Sequence, residues 1–197
     1  MSNMLHDLPH WNYFRLLERD LEESFRYVQP ATEHFNVHSD YFARIIVMAC
    51  VEIENCLKAF ASEVSVTQQP LNIHQFQPVV LGRYPLFTSM KIDVPRFSLS
   101  PLEPWAGWTA TAAPDWWTNG YNKIKHDRIG HPDAPTLFRA ISSVAALLVL
   151  LLHFYRLKHG TTQVSDILAP TLLLPHEIQN DGLYSGSVGW VWELPGE

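Results

Sequence analysis

Residues 116–128 read Trp-Trp-Thr-Asn-Gly-Tyr-Asn-Lys-Ile-Lys-His-Asp-Arg, the densest run of reactive side chains in this chain. Asn122 and His126 are four apart, so on a helix they share a face. Lys123, Lys125 and Arg128 surround them. His126 is the one residue of the run suited to general acid/base work. Asn122, one turn earlier, is placed to orient it or to donate to a phosphate oxygen. Lys125 and Arg128 could hold a scissile phosphate and its developing charge. A bland reading also fits. Cations and a histidine suit a helix C-terminus, and aromatics at helical spacing suit a core.

Four helical segments are expected to carry this run. Residues 10–28 repeat Trp11, Phe14, Leu17, Leu21, Phe25 and Val28 at helical spacing, with Pro30 as the stop. Residues 38–64 form a long second helix, capped by Ser39 or Asp40. Residues 114–129 form the third, with Pro114 at its start and Gly130 and Pro132 at its end. Gly120 inside it costs roughly 1 kcal/mol against alanine, which suggests close approach of a neighbour. Residues 134–159 form the fourth, capped by Asp133, stopped by Gly160, and apolar over more than one stripe. His153 and His159 read as polar residues near its end.

Between the second and third segments the periodicity fails. Residues 65–114 hold seven prolines, yet also Phe76, Val80, Phe87, Trp105 and Trp108. An ordered, mostly irregular insertion over 65–113, with short strands at most, is the expectation. The domain division is then a helical bundle over 1–160 and a docked extension over 161–197. The extension's aromatic stretch, Val188-Gly189-Trp190-Val191-Trp192, suits a short strand or docked tail.

Charge limits the possible partners. The chain is 47% hydrophobic with a net charge of -6, so a packed domain is expected. All fourteen Lys and Arg precede residue 160, and five acids follow it. The helical part is close to neutral, which excludes a general polyanion binder and leaves room for a local basic patch. Cys50 and Cys56 lie six apart on one helix and point different ways, so free buried thiols are expected. Residues 1–12 lack a leader pattern, and the strongest apolar run, Val144 to Leu152, is nine residues against the roughly 20 of a membrane span. The expectation is a soluble, cytoplasmic protein with no membrane partner.

Other sites are weaker. Glu33, His34 and His38 are too few and too loosely spaced to suggest a metal centre. No Gly-rich phosphate loop, Gly-x-Ser-x-Gly or His-Glu-x-x-His sequence occurs, so neither metal nor cofactor is expected. Glu52 and Glu54 face different ways, and one of them could orient His126 or Lys125.

With its four helical segments, the 116–128 run resembles the HEPN superfamily, the higher eukaryote and prokaryote nucleotide-binding group. The family's signature is Arg, then Asn or another polar residue, then His four to six residues after the Arg, near the end of the third long helix. Here Tyr121 falls on the Arg position, Asn122 on the polar one and His126 on the His. Asp127-Arg128 and the second-helix residues Glu52, Glu54, Asn55 and Lys58 add to the likeness. The resemblance implies an all-α, up-and-down four-helix bundle. It also implies RNA or nucleotide binding, with a metal-independent endoribonuclease of a toxin or defence system as the active form. His126 and Asn122 would then be catalytic, and Tyr121, Lys123, Lys125 and Arg128 would bind substrate. A homodimer and a cognate antitoxin protein are the implied partners; surplus apolar surface on the fourth helix and around 105–117 would suit the dimer. The alternative is a non-catalytic structural or protein-interaction module, because tyrosine brings no cation to the arginine position.

Overall fold

The computed structural model describes residues 8–66, 72–160, 163–164, 169–176, 190–191 and 194. Within them the domain is mostly helical, with five helices and a small open β element.

Helix α1 spans Pro9–Ser24, with Trp11, Phe14, Leu17 and Leu21 buried along one stripe. It ends four residues sooner than its apolar period. The Ser24 hydroxyl donates to Leu21 O at 2.6 Å. The N–H groups of Phe25, Arg26 and Tyr27 then bond carbonyls three residues back, at 3.0–3.2 Å, which tightens the last turn. Helix α2 spans Asp40–Glu63. Of the two caps considered, Ser39 serves: its Oγ accepts from Phe42 N at 3.1 Å, and Asp40 sits in the first turn.

The 65–113 stretch is mostly irregular, as expected, but it holds more than short strands. It contains an eleven-residue helix, α3, at Ile73–Arg83, with Pro78 inside it. A reciprocal cap holds its start. Asn72 Oδ1 accepts from His74 N and Gln75 N, and Gln75 Oε1 accepts from Asn72 N. The rest of the insertion is pinned by indoles. Trp105 Nε1 donates to Ala146 O at 2.9 Å, Trp108 Nε1 to Ile73 O at 3.1 Å, and Trp116 Nε1 to Pro104 O at 2.6 Å. Each buried ring thus satisfies its one donor while filling the core.

The third long segment is two pieces. Trp116–Tyr121 is a π-helical turn, and it runs directly into α4 at Asn122–Asp127. The last long helix, α5, spans Leu137–His159 and is the central element, packed against α1, α2 and the π turn. Its cap is Thr136, whose Oγ1 accepts from Arg139 N at 3.3 Å, rather than Asp133. Pro135 stays outside the helix, where its carbonyl takes the Ser39 N–H and Leu137 N bonds Val37 O. Gly160 ends α5 in the left-handed region, φ +66°. By length and composition α5 could cross a membrane, unlike the shorter run picked from the sequence. Leu137 and every residue from Ala140 to Tyr155 are buried within the chain.

Strand β1 (Ile92–Asp93) pairs antiparallel with β3 (Leu174–Pro175). Strand β2 (Gln163–Val164) pairs antiparallel with β4 (Trp190–Val191), in accord with the strand expected in the aromatic tail; Val188, Gly189 and Trp192 lie outside the described residues. The segment before β3 is tied to α1 by one carboxylate. Glu18 is 0% exposed. Its Oε1 accepts from Thr171 N, Leu172 N and Leu173 N at 2.9–3.1 Å, and its Oε2 from the Arg15 guanidinium. Leu172 and Leu173 are buried beside it.

Cys50 and Cys56 are free, fully buried thiols, and burial pushes both well above the usual thiol range. His153 differs from its reading as a helix-end polar residue. It is buried between the rings of Tyr84 and Phe87, at 4.9 and 4.7 Å. Its Nδ1–H donates to Val149 O at 2.7 Å. Burial outweighs that bond and drives the imidazole down to about 4 from 6.5. Between these two values the unfolded chain binds the extra proton and the folded one does not. Stability should therefore fall as pH drops from about 6.5 to 4, by on the order of 3 kcal/mol from this group. In urea unfolding at several pH values, His153→Met should flatten that part of the curve. Parallel curves for the two proteins would show that His153 is not the cause.

Candidate functional site

Four aromatic side chains seat the π turn and α4. Trp116 packs on Trp105 at 5.2 Å and on Trp117 at 5.8 Å, and Trp117 packs on Tyr121 at 4.9 Å. A π turn holds more residues than an α turn, so everything after it is rotated about the axis. Trp116, Trp117, Gly120, Tyr121 and Ile124 all come to lie inward. Gly120 marks a close approach, as its position inside a helix suggested. A Cβ there would lie 3.3 Å from Arg139 Cδ and 3.7 Å from Ile46 Cγ2.

The expected site residues divide between two surroundings. His126 and Lys125 are exposed on α4, and Asn122 lies one turn before His126, half-buried. Among the described residues His126 has no hydrogen bond or ion pair. Its ring is open to solvent, and three residues on the apolar side chain of Ile129 is exposed as well. Lys125 Nζ stands 5.1 Å from the Tyr121 ring centroid, a cation–π contact that steadies it. Tyr121 itself is only 2% exposed and offers a ligand almost no surface. Its hydroxyl donates weakly to Glu54 Oε1 at 3.5 Å. Burial, then the Glu54 charge, pushes this phenol up to about 12.

Arg128 turns from the other cations toward α2, where its Nη1 bonds Asp40 Oδ1 at 2.5 Å. Both partners are largely exposed, so this pair contributes little and yields easily to a competing anion. Lys123 is half-buried and lies near enough to Asp115 to help lower its carboxyl. Glu54 meets Tyr121 rather than His126 or Lys125, while Glu52 meets His10, with Oε1 2.5 Å from Nδ1.

Sequence reasoning missed one group altogether. Arg139 Nε donates to Asp115 Oδ2 at 2.8 Å and its Nη1 to Ala134 O at 2.9 Å. Asn119 Nδ2 donates to the other Asp115 oxygen at 2.6 Å. Burial alone would raise the Asp115 carboxyl; the Arg139 and Asn119 hydrogen bonds and the Arg139 charge outweigh it and hold the group below its usual value. Gly120 was the only sign of this network in the sequence.

Among the described residues no three His, Cys, Asp or Glu side chains gather where they could hold a metal ion. His34 is instead turned to Gln29 O at 2.8 Å. No protein-family model, curated protein or solved structure matches this chain.

Proposed function

We propose that this chain is an HEPN-like helical protein that binds RNA or a nucleotide at the exposed end of α4 and cleaves RNA there as a metal-independent endoribonuclease. One observation carries the reading: His126 stands open to solvent one helical turn after Asn122 and next to Lys125. In the proposed step His126 takes the proton of a 2′-hydroxyl, whose oxygen attacks the adjacent phosphorus. The bond to the 5′-oxygen breaks, and that oxygen takes a proton from water. A 2′,3′-cyclic phosphate and a 5′-hydroxyl result. Lys125 and Arg128 offset the charge that builds on the phosphate, Arg128 after leaving Asp40. The up-and-down order of an HEPN bundle, cytoplasmic residence and a role in a toxin or defence system belong to the same proposal. A homodimer and a cognate antitoxin rest on the family resemblance alone, since α5 and Trp105, Trp108, Trp116 and Trp117 are buried within one chain.

The second reading is a non-catalytic structural or interaction module. Tyr121 favours it, because the position of the family's arginine holds a buried phenol that faces Glu54. Purified protein incubated with mixed RNA in excess EDTA separates the two. Cleavage to cyclic phosphates is expected under the first reading and none under the second. Lys125→Ala should weaken RNA binding more at low salt than at high salt, because screened phosphate attraction is what it removes. A salt-independent loss would point instead to damage to the Tyr121 seat.

A further inference from the structure

A cavity of about 500 Å³ opens where the turn after α1, the start of α5 and the start of the π turn meet. That volume lies within the range of small-ligand pockets. Phe35 and Phe138, both half-buried, form one wall, their ring centroids 5.0 Å apart. Arg139, Asp115, Asp133 and Asn36 supply the polar groups.

The guanidinium is held in place before any ligand arrives. Asp115 and Ala134 O take its Nε and Nη1, and Gly120 leaves room for its stem. Among the described residues nothing accepts from its Nη2, and the side chains of Asp133 and Asn36 make no hydrogen bond. The cavity therefore presents a fixed donor, an unused carboxylate acceptor, an amide and aromatic surface. Two carboxylates against one committed guanidinium disfavour a phosphate. A purely apolar molecule would strand the polar groups. A planar ring with acceptors on one edge and donors on the next satisfies them all.

We infer that this cavity is a binding site for a guanine base, with Arg139 donating to O6 or N7, Asp133 accepting from N1–H and the 2-amino group, and the ring packed on Phe35 and Phe138. Arginine on the O6/N7 edge is a common way of reading guanine, and unstacked bases are held on aromatic side chains. Adenine presents an acceptor, N1, where guanine has its N1–H donor, and would face Asp133 with like against like. The inference rests on the RNA reading in one respect: it makes guanine the base chosen from the bound strand. Asp115 and His126 are eleven residues apart along the π turn and α4, on the order of 15 Å. The base site and the phosphate face thus serve different nucleotides.

The test titrates the whole protein with guanosine, adenosine and cytidine by calorimetry, then with short single-stranded RNAs that contain one guanine or none. Guanosine, which has no phosphate, should bind saturably and more tightly than the other two nucleosides. Asp133→Asn, a change at an exposed position that keeps the fold, should weaken guanosine about tenfold or more. The guanine-bearing RNA should bind tighter than guanosine if a strand is the source, and equally if free nucleoside is; either agrees with the site. RNA bound or cut without regard to guanine, with no guanosine binding at millimolar concentration, would overturn the base site and leave the proposed function standing. Guanosine bound equally by wild type and Asp133→Asn would overturn it as well. Guanosine binding without any RNA binding would keep the base site and remove the RNA reading.

Discussion

RNA cleavage by the His126→Ala protein is expected to run about 10²–10⁴-fold slower than by wild type, the usual cost of losing a positioned proton-transfer group. The variant should fold normally, since the ring is exposed and contacts none of the described core. Its melting temperature and RNA affinity should stay near those of wild type, so the loss appears in turnover and not in binding. A histidine that only complements the helix C-terminus would give another pattern: a small stability change and no change in rate. Equal cleavage by both proteins would show that the activity comes from a contaminating nuclease, and would remove His126 from the mechanism. Tyr121→Arg is a poor way to rebuild the family's cation here. Its guanidinium would start from a buried position and meet the Glu54 carboxylate before any phosphate.

Glu18→Ala should lower stability by roughly 3–5 kcal/mol, as much as emptying a buried aromatic site. Three backbone N–H groups, two of them buried, lose their acceptor at once, and Arg15 loses its partner. A chain of this size would melt about 10 °C lower. Glu18→Gln keeps one acceptor oxygen but loses the charge and presents an NH2 to donors, so it should fall between wild type and alanine. Hydrogen exchange gives the local signature: the amides of Leu172 and Leu173 should lose protection before those of α5. An alanine variant that unfolds within about 0.5 kcal/mol of wild type would sink this account, because surface changes commonly do no more.

What could be read from the sequence follows from the range of each interaction. Helices α1, α2 and α5 announced themselves because their signals are local: a 3.6-residue apolar period, Ser39 at one end, Gly160 at another. The boundary errors were local as well. Three-residue hydrogen bonds end α1 at Ser24 although Phe25 and Val28 continue its stripe. Pro135 moves the start of α5 to Leu137, with Thr136 as the cap. Helix α3 was hidden by Pro78 and a proline-rich setting, although the Asn72 and Gln75 pair that caps it was present to be read. At the site, residues 116–128 stood out by composition and Gly120 pointed to a close neighbour. Arg139, the neighbour, could not be identified, because nothing in one sequence links it to Asp115 24 positions away. The burial of Glu18 left no mark in the sequence for the same reason. Its partners lie 153–155 residues further on.

That separation has a consequence during synthesis. At ordinary translation rates, roughly 8–30 s pass between the polymerisation of Glu18 and that of Thr171. Through that interval α1 carries a carboxylate that Arg15 already pairs but whose backbone donors, from Thr171 to Leu173, have not yet been made. Helices α1, α2 and α5 can collapse early, but their seam stays open at Glu18 until the late segment arrives. A message truncated before codon 171 would leave a protein with its helices and an uncovered seam at Glu18, a natural substrate for proteolysis. The carboxylate of Glu18 thus ties survival of the product to translation having passed Leu173.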